Sequence, residues 1–244
     1  MTKKLNIALI GCGGWGKNIA RNLHKIGALA CIYDSDQNIS KKLNQDFKLH
    51  NYTINDIFKN ENIQALVIAS SAKTHKDIAE EALKNNKDVL IEKPFCLSLN
   101  DAITLSKLAI KKNKVLMAGH LLNYHNAFIK MQDLIREGKI GETKNIRAQR
   151  LALGAIRSHE SVIYDLAVHD VSMILAIMQE LPVKINAHSI HHNTNIGPDA
   201  VSVKLTFKTG ATALISCDWM CPYKEHKFSV IGSKGSLVFD DTQD

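Results

Sequence analysis

The feature that most constrains this chain is the stretch 5–18, LNIALIGCGGWGKN. Leu5, Ile7, Ala8, Leu9 and Ile10 make a short, uncharged apolar run, too brief for a helix and suited to a buried parallel strand. Gly11, Gly13 and Gly16 follow in G-x-G-x-x-G spacing, with Cys12, Gly14 and Trp15 between them. Helix formers then run from Lys17, with apolar positions at Ile19, Ala20, Leu23 and Ile26. Strand, glycine turn and helix in that order imply a chain that turns tightly at Gly11, lets a pyrophosphate approach backbone N–H groups at Gly13, and packs helix on strand at Gly16. The helix N-terminus then faces the phosphates.

A second apolar run at 28–33 ends in Asp34, about twenty residues past the glycines, where a carboxylate accepts hydrogen bonds from an adenosine ribose. A free 2′-hydroxyl is thereby preferred to a 2′-phosphate, so NAD is the expected cofactor. The competing reading of Asp34 is a turn residue in DSD. Helical patterns follow at 38–46, 56–58, 74–85 and 100–112, the last with Asn100 or Ser98 as its cap. Apolar strands fall at 65–69, counted as the fourth, and at 89–91 and 115–117. This alternation predicts an α/β fold with a doubly wound parallel sheet of the Rossmann type. From about Gly119 the pattern changes to a helix at 124–137, stopped by Gly138, and alternating segments at 144–153, 183–191, 201–207 and 211–219. A strong helix at 164–178 lies among them, and 228–231 and 236–239 pair around GSKG. Strands joined by tight glycine turns predict a C-terminal α+β domain on an open, mainly antiparallel sheet. The expected domains are 1–119 for the dinucleotide and 120–244 for substrate binding and self-association.

With 244 residues and 45% apolar content, the chain can bury the cores of two modest domains. The first strand begins almost at once, leaving no room for a signal peptide, and no apolar run approaches the roughly 20 residues of a membrane span. A cytoplasmic protein is expected. Five scattered cysteines, mostly within or beside the predicted strands, suit buried thiols in a reducing compartment, without a disulfide. Cys217 and Cys221 lack the second pair of a zinc site, and no metal is expected. The net charge of +7 is spread over lysines on apparent helix faces, such as Lys41, Lys84, Lys111 and Lys114, with few aromatics between. That describes a solvated basic surface whose field favours an anionic small substrate, not a nucleic-acid or membrane partner.

Ligands of open parallel sheets sit beyond the carboxyl ends of the strands, which singles out Ser70 to His75, Glu92-Lys93-Pro94 and Gly119-His120. A lysine beside a cationic nicotinamide has its charged form disfavoured and can act as acid, base or hydrogen-bond donor. Pro94 fixes the turn that presents Lys93, a cis bond being one option; a surface lysine in a loop is the alternative. Asp165 and His169, four apart on a helix, share a face, so the carboxylate can orient an imidazole that takes a proton from an alcohol. The alternatives are Asp165 as a cap beside a core histidine, and a metal-ligand pair. Asp170 is expected to be a cap partner or an interdomain contact. Arg147, Arg150 and Arg157 surround LALGAI, and Tyr124-His125 opens a helix. These arginines either grip a diphosphate or carboxylate or face solvent from a strand.

Together these residues resemble the Gfo/Idh/MocA oxidoreductases, over nearly the whole chain: the glycine turn, Asp34, the loop with His75, Glu92-Lys93-Pro94, Gly119-His120 and Asp165…His169. The resemblance implies that Lys93, Asp165 and His169 form the catalytic group. It also implies that Ser70, His75, Glu92, Lys93 and Pro94 join Gly11–Gly16 and Asp34 around NAD. GCGGWGKNIARNL, GHLLNYHNA, RLALGAIR, AVHD and DWMCPYK are similar to members that oxidise nucleotide-linked sugars in bacterial surface-polysaccharide pathways, the UDP-N-acetylglucosaminuronate 3-dehydrogenase-like enzymes. His120, Tyr124, His125, Arg150 and Arg157 are then the substrate-binding candidates, and a homo-oligomer through the C-terminal sheet is expected. Ala167 departs from the glycine of many members. The chain also ends at Asp244, soon after GSKG, where relatives continue, which leaves a truncated chain or a short member as alternatives. By this resemblance, Lys93 donates a hydrogen bond to the reacting oxygen while His169 accepts the hydroxyl proton and hydride passes to the nicotinamide. A dehydrogenase of free sugars or polyols, and a non-catalytic NAD sensor, are the competing functions.

Overall fold

The computed structural model describes residues 5–154, 160–191 and 197–242. The chain divides into two units, at Gly119 and His120.

The first unit holds a parallel sheet of β1 (Ile7–Ile10), β2 (Leu29–Tyr33), β3 (Ala65–Ile68), β4 (Asp88–Ile91) and β5 (Leu116–Ala118), in the order β2-β1-β3-β4-β5. Parallel neighbours need crossovers, supplied by α1 (Gly14–Lys25), α2 (Gln37–Asp46), α3 (Ile54–Lys59), α4 (Ala72–Lys84) and α5 (Leu99–Lys112). The run at 65–69, counted as the fourth strand, is the third, because only α2 and α3 lie between β2 and it. Successive strand side chains point to opposite faces, and two cores result. Ile10, Leu66, Ile68 and Ile91 pack on Ile57, Ala79, Leu83 and Leu105, whereas Leu9, Ile32 and Val67 pack on Ala20, Ile19, Leu23 and Leu43. Helix starts follow their capping chemistry: Thr53 and Asp56 form a capping box, and Ser98, rather than Asn100, accepts from the Asp101 N–H. The strand order reverses between β1 and β3, the place where such sheets open a crevice.

The second unit starts with a 3-10 turn, Leu121–Tyr124, and α6 (Asn126–Arg136). Then come β6 (Thr143–Leu153), a π turn Ile163–Ala167 leading into α7 (Val168–Met178), and strands β7 (Lys184–Ile190), β8 (Ala200–Thr206), β9 (Thr212–Asp218), β10 (Met220–Gly232) and β11 (Ser236–Asp240). The sheet runs β11-β10-β6-β9-β8-β7, antiparallel except that β6 and β9 are parallel. The chain between them crosses over through α7, and such a crossover returns a strand in the same direction. Ile146, Ala148, Phe228 and Val230 pack on Phe128, Met131, Met173 and Ile174, while the edge strand β7 is exposed along its length. Among the described residues no helix is long and apolar enough to cross a membrane.

The edge of the first sheet depends on one polar side chain. β2 is an edge strand, and Asn44 of α2, 0% exposed, pairs with its free ladder groups. Asn44 Oδ1 accepts from the Ile32 N–H at 2.9 Å, and Nδ2 donates to the Ile32 carbonyl at 2.8 Å and to Asn51 Oδ1 at 3.0 Å. Asn44→Leu keeps the volume but strands a buried donor and acceptor, so a loss of about 2–4 kcal/mol is expected. Urea unfolding measures it, and a loss below about 1 kcal/mol would mean water replaces the amide.

Candidate functional site

At the first turn Gly11 has φ +92°, and a Cβ there would meet the Ala69 carbonyl carbon at 2.6 Å. A Cβ on Gly16 would run into the Gly11 carbonyl oxygen, so only glycine lets α1 lie this close to the turn. Gly13 differs: a Cβ there would find nothing within 4 Å. Helix α1 starts at Gly14 with no side-chain cap and no acidic residue in its first turn. Its leading N–H groups, at the positive end of the helix dipole, are left for an anion.

Asp34, at the end of β2, faces the same turn. Its Oδ2 accepts from the Cys12 N–H at 2.7 Å and its Oδ1 from the Asp36 N–H at 2.9 Å. Asp34 thus makes the hydrogen bonds of a turn residue, while each oxygen keeps lone-pair capacity for a ribose hydroxyl. Burial, with Asp34 adding to it, pushes the Cys12 thiol up to about 11, so this cysteine is a packed neutral group. An open glycine, an uncapped helix and a carboxylate held beside them fit the pyrophosphate and ribose of NAD.

The turn after β4 is joined to the glycine turn through Glu92. Its Oε1 accepts from Trp15 Nε1 at 3.0 Å, its Oε2 accepts from the Lys93 N–H at 3.2 Å, and its carboxyl carbon lies 3.1 Å from where a Cβ on Gly119 would stand. Glu92 thus ties together the start of α1, the lysine turn and the end of β5. The Lys93–Pro94 bond is cis. His75, expected among the cofactor contacts, is 1% exposed, with Nδ1 2.9 Å from the Pro94 carbonyl and Nε2 3.0 Å from the Ser70 carbonyl. That expectation is corrected: His75 bridges the loops after β3 and β4 from within and holds the turn that presents Lys93. Ser70 backs Gly11 through its main chain, and its hydroxyl bonds to that of Thr74 at 2.7 Å.

In the second unit, Asp165 lies in the π turn and His169 is the second residue of α7. The single α-helix expected over 164–178 is thus broken in pitch, and a four-residue spacing across it no longer carries the plain same-face geometry. π turns of this kind concentrate at functional sites. Asp165 is buried and its Oδ2 accepts from Trp219 Nε1 at 3.1 Å, so it is no helix cap. Trp219, in DWMCPYK, is the partner that residue order alone does not name, and the signal for it is that a buried indole needs an acceptor for its N–H.

Two expectations change. Arg150 is 8% exposed and donates from Nε and Nη2 to Oδ2 and Oδ1 of Asp170, at 3.3 and 3.0 Å, so its fork is committed inside the unit and is not presented to a substrate anion. Asp170, 1% exposed, accordingly finds its partners Arg150 and Cys217 inside its own unit and is not a cap partner. Burial raises its carboxyl, opposed by Arg150; against the lowering effect of burial, Asp170 raises the Arg150 guanidinium. Strand parity held the clue, because Ile146, Ala148 and Arg150 share the inward face of β6. Arg147, of opposite parity, is exposed with its Nε 3.3 Å from Asn145 Oδ1. Arg157 lies outside the described residues. His125 caps α6, accepting from the Ala127 N–H at Nδ1 at 3.3 Å, and its exposed ring lies 4.8 Å from that of Phe239. Tyr124 is exposed and His120 half-buried. Among the described residues no group of three or more His, Cys, Asp or Glu side chains is arranged to hold a metal.

The two kinds of glycine separate by experiment. Gly11→Ala is expected to cost at least about 2 kcal/mol of stability through backbone strain and overlap. Gly13→Ala is expected to leave stability within about 0.5 kcal/mol, yet to weaken NAD binding about tenfold or more, because its methyl group takes the space of the approaching phosphate. Urea unfolding and calorimetric NAD titration check both, and unaltered NAD affinity in the Gly13 variant would remove that contact.

Residues 5–120 match the model of an oxidoreductase family with an NAD-binding Rossmann fold, GFO_IDH_MocA, and residues 128–238 match that of the GFO/IDH/MocA C-terminal domain. The chain is 24% identical over 254 residues to 2,7-anhydro-N-acetylneuraminate hydratase of Escherichia coli (strain K12), covering 97% of this chain and 68% of that one. It is 27% identical over 210 residues to UDP-N-acetylglucosamine 3-dehydrogenase of Acidithiobacillus ferrooxidans, covering 86% and 65%. The crystal structure of GenD2 from gentamicin A biosynthesis, solved with NAD, has the same fold, with a TM-score of 0.89 at 23% identity over 98% of this chain and 73% of that one. The glycine turn, the doubly wound sheet and the match of both units to one pair of domains lead to one assignment: the chain belongs to the Gfo/Idh/MocA family of oxidoreductases, with an NAD-binding Rossmann domain as its first unit.

Proposed function

We propose that this protein is an NAD-dependent dehydrogenase of a sugar hydroxyl, and that its sugar is nucleotide-linked, such as a UDP-N-acetylglucosaminuronate. The observation that carries the reading is the cradle at Gly13, with Asp34 beside it and Glu92 tying it to the turn of Lys93. The relative named UDP-N-acetylglucosamine 3-dehydrogenase supports the sugar class.

In this reading Gly11 to Gly16 and the start of α1 hold the pyrophosphate, and Asp34 accepts from the ribose. NAD, when bound, supplies the hydride acceptor. Lys93 donates a hydrogen bond to the oxygen that becomes a carbonyl. His169 accepts the hydroxyl proton, and the Asp165 carboxylate stabilises the imidazolium so formed. His120, Tyr124 and Arg157 are proposed to receive the substrate. Exposed Leu214 and Val238, on one face of the second unit's sheet, support self-association, and five free thiols support a cytoplasmic setting.

A second reading, a dehydrogenase of free sugars or polyols, is favoured by one observation: Arg150 is spent on Asp170, which leaves the grip on a diphosphate to fewer groups. UDP-sugars and free polyols tested with NAD, with absorbance and product analysis, separate the two. Lys93→Met and His169→Asn are each expected to lower turnover about a hundredfold or more while NAD affinity stays within about threefold. Equal loss of both properties would count against these roles. Arg157→Ala is expected to raise KM for a UDP-sugar about tenfold; an unaltered KM selects the polyol reading. NAD binding without turnover on any sugar would leave a cofactor-binding sensor.

A further inference from the structure

The strongest unassigned feature is the buried polar cluster behind the start of α7. Arg150 of β6 grips both oxygens of Asp170, and the Cys217 thiol of β9 donates to Asp170 Oδ2 at 3.7 Å. The other Arg150 nitrogen, Nη1, stands 3.7 Å from Asp241 Oδ2, and Asp241 Oδ1 is 3.1 Å from His226 Nδ1 of β10. Asp165, four residues before His169, is held by the indole of Trp219, whose main-chain N–H donates to the Asp199 carbonyl at 3.1 Å and whose main-chain carbonyl accepts from the Gly154 N–H at 3.0 Å. The segment carrying His169 is therefore fastened on both sides, at Asp165 and at Asp170, to β6, β9 and the link between β9 and β10.

A buried ion pair is poor at explaining stability, since apolar groups of the same size usually serve as well or better. What a two-pronged Arg–carboxylate contact adds is a defined distance and angle. Such definition matters here, because the pitch changes from π to α at Val168, one residue before His169. We propose that the Arg150–Asp170 pair is a positioning device that sets the rotation and register of the first turn of α7, and with it the placement of His169. Its bearing on catalysis rests on the dehydrogenase reading above; the anchoring itself does not.

The test uses the full chain with Arg150→Met/Asp170→Asn, which removes both charges at similar volume, and Arg150→Lys, which keeps the charge without the fork. Amide hydrogen exchange across residues 166–172 is compared with exchange in β8, alongside kcat, KM and NAD affinity. In the double variant, exchange at 166–172 is expected to rise at least tenfold with β8 unaltered, kcat to fall at least tenfold, and NAD affinity to stay within twofold. Arg150→Lys is expected to show the same local change at threefold or more, and it decides the matter if the double variant does not fold. Wild-type exchange in the folded variants overturns the proposal, and so does faster exchange with unaltered kcat. Faster local exchange in a protein whose wild type oxidises no sugar would uphold the anchor and overturn the dehydrogenase reading instead.

Discussion

The backbone contact between Gly11 and the end of β3 is the constraint on which the first unit depends. Any side chain at Gly11 would overlap Ala69 and Ser70, and any at Gly16 would overlap Gly11. Together the two glycines let α1 begin within one turn of the strand, with its leading N–H groups bare. The Cys12 N–H then meets Asp34, so the same turn positions the carboxylate at the end of β2. Close approach, open N–H donors and a carboxylate beside them, the features a dinucleotide turn needs, thus follow from one tight passage of main chain.

Around that passage, buried polar side chains act mostly as braces between loops. Asn44 finishes the edge of β2, and His75 spans the Ser70 and Pro94 carbonyls. Lys87 donates to the Asn60 and Ile63 carbonyls at 2.6 and 2.8 Å beyond the end of α3, and burial lowers its ammonium. Each brace holds main-chain groups of another segment through a buried polar side chain. Arg150 and Asp170 differ, since they satisfy each other. Their worth lies in geometry, at the point where the second unit carries its histidine.

Much of this was legible from residue order. The glycine spacing, the alternation of apolar runs with helical patterns, Asp34 and the Glu92-Lys93-Pro94 turn are local patterns, and local patterns survive in sequence because each rests on a few adjacent residues. Ser98 as a cap and Gly138 as a stop are of the same kind. What escaped notice depended on neighbours far along the chain. Trp219 meets Asp165 across 54 positions and Glu92 meets Trp15 across 77. Arg150 shares the inward parity of Ile146 and Ala148, but the carboxylate that neutralises it there, Asp170, lies twenty positions on, and no local pattern marks that pairing.

The sequence by itself determined the class of the protein: a doubly wound sheet with a dinucleotide turn, followed by an α+β unit, for hydrophobic period and glycine placement leave few other folds. Only the tertiary structure decided which polar groups brace the protein and which stay available for chemistry. It turned His75 and Arg150 inward, placed Asp165 on a π turn and laid β6 parallel to β9. The physical reason is that a side chain's role is set by the partner that satisfies it, and that partner is chosen by the packing of distant segments, which no local pattern records.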